Sequence, residues 1–170
     1  LRADYSRADT RKQRYRALSL FLASVRCGHT YANFYNQTNA VQQELFSAKT
    51  RLPFQFKLLG DRMVVTRNQS ADVRLTVGTE VLRVDGRTPP QILRALLPYA
   101  RADGHNDAKR RALLEVRGLD RFESFDIFYP LQFPVREEFT LELRRPGQTP
   151  SERVAVEPID LATRQAGMTG

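Results

Sequence analysis

The chain has one cysteine, Cys27, two histidines, and no near-apolar run longer than the nine residues from Ala17 to Val25. The single cysteine excludes a disulfide framework within the chain and any multi-cysteine metal site. The Ala17 to Val25 stretch is interrupted by Ser19 and Ser24 and is too short to cross a bilayer. No initiator Met opens the sequence, and no basic-then-apolar leader with a small-residue cleavage site follows, so a chain processed or excised at its start is expected. No G-x-S-x-G string occurs, which leaves Ser24, Ser47, Ser70, Ser124 and Ser151 outside any nucleophile-elbow context. Zinc-finger spacing, an aromatic RNP-like segment and a helix-turn-helix pattern are all lacking.

What is present is globular in balance: 41% hydrophobic and 27% charged residues over 170 positions, enough for one ordinary domain or a small domain with a helical appendage. With 27 Lys and Arg against 19 Asp and Glu, the net charge is +8. That excess invites a nucleic-acid reading. However, the basic residues are spread from Arg2 to Arg164, acids are interleaved among them, and nearly all are Arg, with only Lys12, Lys49, Lys57 and Lys109 otherwise. A solvated basic surface is the expected consequence, with no nucleic-acid partner.

Periodicity divides the chain. From Asp9 to about Arg26 there is no Gly or Pro, and Tyr15, Leu18, Leu22 and Val25 recur at helical spacing, with Phe21 widening the stripe opposite Arg11, Lys12, Arg16 and Ser19. Ser6 or Asp9 is the expected cap and Gly28 the expected stop or kink. A shorter helix is expected from about Thr38 to Ala48. Pro53 then marks a change of period: Phe54, Phe56 and Leu58 alternate with polar residues, Gly60-Asp61 supplies a turn, and Met63 to Thr66 completes a hairpin. A short strand lies between Gly78 and Gly86. Thr88-Pro89-Pro90 opens a helix with Ile92, Leu93, Leu96 and Leu97 inward. Asp103 to Asn106 reads as a turn, Asp107 to Arg117 as a helix, and Leu119 to Phe133 as an aromatic-rich segment belonging to the core. Strands at Glu138 to Arg144 and Arg153 to Glu157 follow, and the residues after Pro158 read as a weak helix or linker.

The string Leu75-x-x-Gly78-x-Glu80-Val81-Leu82-x-Val84-Asp85-Gly86, placed after a hairpin and before a helix, resembles a PDZ-like domain of the bacterial protease type. A helical segment ending in Arg26-Cys27-Gly28-His29-Thr30-Tyr31 just upstream makes the order of parts similar to the C-terminal-processing (tail-specific) serine peptidases, and most of all to their tricorn-core-like branch. The resemblance implies an α+β fold: an N-terminal helical segment over 1–50, a PDZ-like partly open β-barrel over 51–158 with a helical insertion near 100–134, and a linker or tail over 159–170. It implies that His29 is the general base. The nucleophilic serine, its oxyanion hole and an orienting glutamate would lie in a catalytic domain that follows, so this chain alone is expected to be inactive. Gly28 stands where the tricorn-core pattern has a serine that orients the histidine. A polypeptide substrate and an exported, periplasmic or secreted location are also implied.

A serine hydroxyl becomes a good nucleophile only when a neighbouring imidazole takes its proton, which is why a histidine presented at a helix end suits this role. The competing reading makes His29 a helix-terminal residue interacting with carbonyls, and the chain a non-catalytic peptide-binding module. In either reading a groove lined by Phe54, Phe56, Ile92 and Leu96 would receive peptide or contact another domain. Capture of a free C-terminus is disfavoured, because Leu52-Pro53-Phe54-Gln55-Phe56 has no glycine loop and Pro53 lacks an N–H. Cys27 is not expected to pair with His29, since adjacent side chains on a helix point apart. Asp103, His105 and Asp107 make only a weak metal set, so neither metal nor cofactor is expected.

Overall fold

The structure, a computed structural model, describes residues 5–167. Residues 1–4 and 168–170, the outer ends of the expected helical segment and tail, lie outside the described residues. Helix α1 (Arg11–Ser24) starts at Thr10, not at Ser6 or Asp9: the Thr10 hydroxyl accepts the Gln13 N–H while the Gln13 side chain accepts the Thr10 N–H. Its buried stripe is Tyr15, Ser19 and Ala23, rotated from the expected one. Phe21 and Val25 are exposed, whereas Ser19, expected on the polar face, is buried and donates its hydroxyl to the Tyr15 carbonyl. Periodicity locates a helix better than it locates its inner face when Leu and Phe are distributed all round. Helix α2 (Asn39–Phe46) is capped by Thr38 and inserts Phe46 between Tyr15, Phe34 and Phe122.

Five antiparallel strands follow the expected pattern closely: β1 (Phe54–Leu59), β2 (Arg62–Asn68), β3 (Glu80–Val84), β4 (Phe139–Arg144) and β5 (Glu152–Val156). They form one open sheet in sequence order, β1-β2-β3-β4-β5. The sheet is open, and the segments before β1 and after β5 meet in a bridge between Arg51 and Ile159. At the β3 exit, Asp85 and Gly86 both take positive φ, 48° and 79°, the left-handed turn that an Asp-Gly pair accommodates. Helix α3 (Pro89–Leu96) then lays Ile92, Leu93 and Leu96 on the sheet, and Gln91 accepts the Thr88 N–H at its start.

Between α3 and β4, helix α4 (Asp107–Leu113) is shorter than expected. It stops so that Val116 can pair with Phe56 in the sheet plane. Helix α5 (Ser124–Gln132) buries Phe125, Ile127, Phe128 and Tyr129, which joins the aromatic segment to the core as expected. The core is continuous from Tyr15 through the sheet to Leu161. The fold is α+β.

The tail is the main surprise. Helix α6 (Leu161–Ala166) is capped by Asp160 and carries Arg164 into the interior with no exposed surface. There Arg164 donates to both Asp126 oxygens (2.9 and 3.1 Å), to the Leu52 carbonyl (2.7 Å), to the Phe54 carbonyl (3.0 Å) and to the Gln69 side chain. Arg51, likewise buried, lies 3.6 Å from Asp126. Nothing in a six-residue helix after a proline announces this, because its stability comes from tertiary contacts.

Candidate functional site

Helix α1 ends at Val25, and the chain turns sharply at Arg26, a non-glycine residue at φ 57°. Gly28 is therefore not the stop. Residues 27–30 form a turn closed by the Thr30 N–H on the Cys27 carbonyl at 3.1 Å. Because this is a turn and not a helix, the reason for holding Cys27 and His29 apart does not apply. The Cys27, His29 and Asp103 donor atoms all lie within 4.8 Å of one another.

Asp103 arrives from a segment 75 residues away. Its Oδ1 accepts the Gly28 N–H at 2.6 Å, and its Oδ2 lies 3.3 Å from the Lys109 ammonium. The Gly104 N–H donates to the Arg26 carbonyl at 2.9 Å, and the Arg26 guanidinium returns a bond to the Gly104 carbonyl at 3.3 Å. Arg101 stacks on the Tyr31 ring 3.6 Å from its centroid. Four contacts thus hold the 26–31 turn against the 101–104 loop. Gly28 is needed there for space: a Cβ would approach the Asp103 carboxylate oxygens to 2.9 and 3.0 Å.

His29 is exposed and Cys27 half-buried. The Gly28 amide, then Lys109, holds the Asp103 carboxyl below its ordinary range. Hydrogen bonding with the Thr30 side chain, then with the His29 backbone, lowers the Cys27 thiol. No serine hydroxyl among the described residues is hydrogen-bonded to His29; Ser24, Ser47, Ser70 and Ser151 are engaged with Phe21, Gln42, Asn68 and Glu142. His105 is exposed and stands outside the cluster, so Asp103, His105 and Asp107 do not form the acid-histidine set the sequence suggested.

The expected groove residues Phe54, Phe56, Ile92 and Leu96 are brought together, but as core: each is 0% exposed. The reason is that residues after α3 fold back over β1. Phe125 of α5 packs edge-on against Phe56 at 4.9 Å. Along the β1 edge that faces away from β2, Phe56 exchanges two backbone bonds with Val116 (2.9 and 3.2 Å), the Leu58 N–H donates to Glu115 at 3.0 Å, and the Phe54 carbonyl is taken by Arg164. The Phe54 carbonyl, both Phe56 groups and the Leu58 N–H, on which an added strand would pair, are thus already engaged.

Sequence reasoning identified His29 and the Asp103 turn separately but not their meeting. It missed Arg51, Asp126 and Arg164 entirely, since single charged residues carry no signal of burial.

No family model and no curated protein matches the sequence. Among solved structures, the fold is similar to mature CPAF complexed with lactacystin, at TM-score 0.57 and 20% identity, covering 99% of this chain and 30% of that one. A second structure of mature CPAF aligns at TM-score 0.53 and 21% identity over 94% of this chain and 28% of the other. The chain thus spans under a third of the length of these neighbours. The likeness is one of fold, and it covers only part of those proteins.

Proposed function

We propose that this chain is the front portion of a serine endopeptidase of the tail-specific type, with His29 as its general base and the sheet with α3 as a PDZ-like module. The nucleophilic serine belongs to a catalytic domain outside this chain, and a polypeptide is the substrate. The observation that carries the reading is the placement of His29: an exposed imidazole on a turn that is braced by the 101–104 loop, in a fold related to that of a serine protease. Because the β1 edge is filled from within, the PDZ-like module serves interdomain contact and not strand addition by substrate. Asp103 takes the place of the orienting serine that the tricorn-core pattern has at position 28, its carboxylate lying beside both Gly28 and the imidazole.

The test is turnover of an unfolded protein substrate by a polypeptide that joins this chain to its serine domain. His29→Ala lowers kcat by at least about 10²–10⁴-fold, the usual worth of general-base assistance, with the melting temperature unchanged because the ring is exposed. If His29→Ala leaves turnover per folded molecule intact, His29 is not the base. Asp103→Asn lowers kcat with little change in KM, as expected of a positioning residue.

A further inference from the structure

The cluster of Cys27, His29 and Asp103 is also a donor set. It offers one sulfur, one imidazole nitrogen and one carboxylate oxygen, all within 4.8 Å, at the surface of the molecule. These are the three ligand types that zinc takes, at about 2.0–2.3 Å each, with the fourth position left to water. Closing the cluster onto a cation requires the donors to move inward by roughly an ångström, which exposed side chains on a turn accommodate by small rotations about their χ angles. One ligand is already oriented: Asp103 Oδ1 is held by the Gly28 N–H at 2.6 Å, the type of outer contact that fixes metal-bound carboxylates. Its other oxygen is neutralised by Lys109 at 3.3 Å, so a positive charge already sits where the cation would bring one.

We propose that Cys27, His29 and Asp103 bind one borderline divalent cation, zinc in preference to magnesium or calcium, and that the bound cation withdraws the His29 lone pair from base catalysis. The thiolate selects against the hard cations. On binding, the Cys27 thiol loses its proton to solvent and the Lys109 ammonium is displaced from Asp103. The sequence reading expected no metal because it weighed Asp103 with His105 and Asp107; the donors that meet are Cys27, His29 and Asp103. The inhibitory half rests on His29 being the base; the metal site itself does not.

Cobalt(II) titration of the purified chain, without chelating reductants, tests the site. A one-to-one endpoint with a thiolate-to-cobalt charge-transfer band in the near ultraviolet is expected, bleached by zinc and not by magnesium. Cys27→Ser abolishes the band, and His29→Gln and Asp103→Asn each weaken binding by about tenfold or more. Lys109→Gln tightens it by removing the competing ammonium. Absence of the band, or a band of equal affinity in the His29 and Asp103 variants, overturns the site. The second half is read in the polypeptide with its serine domain: zinc suppresses turnover, and Cys27→Ser raises the zinc concentration needed to halve each protein's own zinc-free rate. Cobalt binding without zinc inhibition overturns the regulatory half alone. If cobalt binds normally and His29→Ala leaves turnover intact, the general-base assignment falls and the metal site stands.

Discussion

Replacing Arg164 by Met should strongly destabilise this protein, although Arg164 lies in a short C-terminal helix. The guanidinium has no exposed surface and holds Asp126, itself 2% exposed, through two hydrogen bonds, together with the Leu52 and Phe54 carbonyls and Gln69. Met fills most of the volume, so the loss is of polar contacts and not of packing. Asp126 would keep only Arg51, 3.6 Å away and already bonded to the Ala48 and Phe46 carbonyls. Breaking a buried ion pair from one side costs about 3–5 kcal/mol, and the orphaned carbonyls add to this without being additive. A loss near 4 kcal/mol is a large part of the roughly 5–15 kcal/mol that domains have. With m of about 2 kcal/mol/M, the urea midpoint falls by about 2 M. Arg164→Lys keeps the charge but not the fork and should fall between. The triple change Arg51→Met, Asp126→Leu, Arg164→Met should recover part of the loss, since no buried charge remains unpaired. An Arg164→Met variant within about 1 kcal/mol of the parent, with the same m, would refute the reasoning.

Glu123 accepts the Arg117, Gly118 and Leu119 amides, yet burial outweighs these bonds and raises its carboxyl above the ordinary value. The folded state therefore binds a proton more readily than the unfolded one, so this group's contribution is greatest in acid and is lost as pH rises toward its folded pKa. Glu123→Gln should flatten that fall in urea midpoint between acid and neutral pH, and an unchanged profile would contradict it. The Tyr129 hydroxyl is buried with no hydrogen-bond partner among the described residues, and burial raises it strongly. Tyr129→Phe should leave thermal stability equal or raise it by up to about 1–3 kcal/mol; a loss of about 1 kcal/mol or more would show that a partner exists.

The strands were legible because their signals are local. Phe54, Phe56 and Leu58 alternate, Gly60 turns at φ 59°, and Asp85-Gly86 turns after β3, so each strand end is marked by the residue that makes it. The inner face of α1 was not legible, because Leu18, Leu20 and Leu22 are all half-buried and the rotation is set by tertiary contacts such as Tyr15 on Phe46 and the Ala32 carbonyl and Arg16 on the Tyr99 hydroxyl. The flanking string singles out His29 and a turn cluster holds Asp103, but that the two lie side by side comes only from the fold. Their meeting depends on contacts between segments about 75 positions apart, the Gly28 amide on Asp103 among them, which no local pattern encodes.

The same segment that brings Asp103 to His29 also seals β1. From Asp103, the chain passes through the Asn106 cap and α4 to Val116, which occupies the Phe56 edge. An incoming peptide strand would have to replace two Phe56–Val116 bonds and the Leu58–Glu115 bond with bonds of the same kind, each worth about 1 kcal/mol net. The exchange gains almost nothing in hydrogen bonding and adds the cost of ordering a free peptide, against a segment already tethered in place. It would also expose Val116, which is 0% accessible. Strand addition at β1 therefore loses to the intramolecular pairing, and the Phe54, Phe56, Ile92 and Leu96 cluster stays a core. The same stretch of chain thus closes the space between β1 and α3 at one end and, at Asp103, braces the turn that carries Cys27 and the exposed His29.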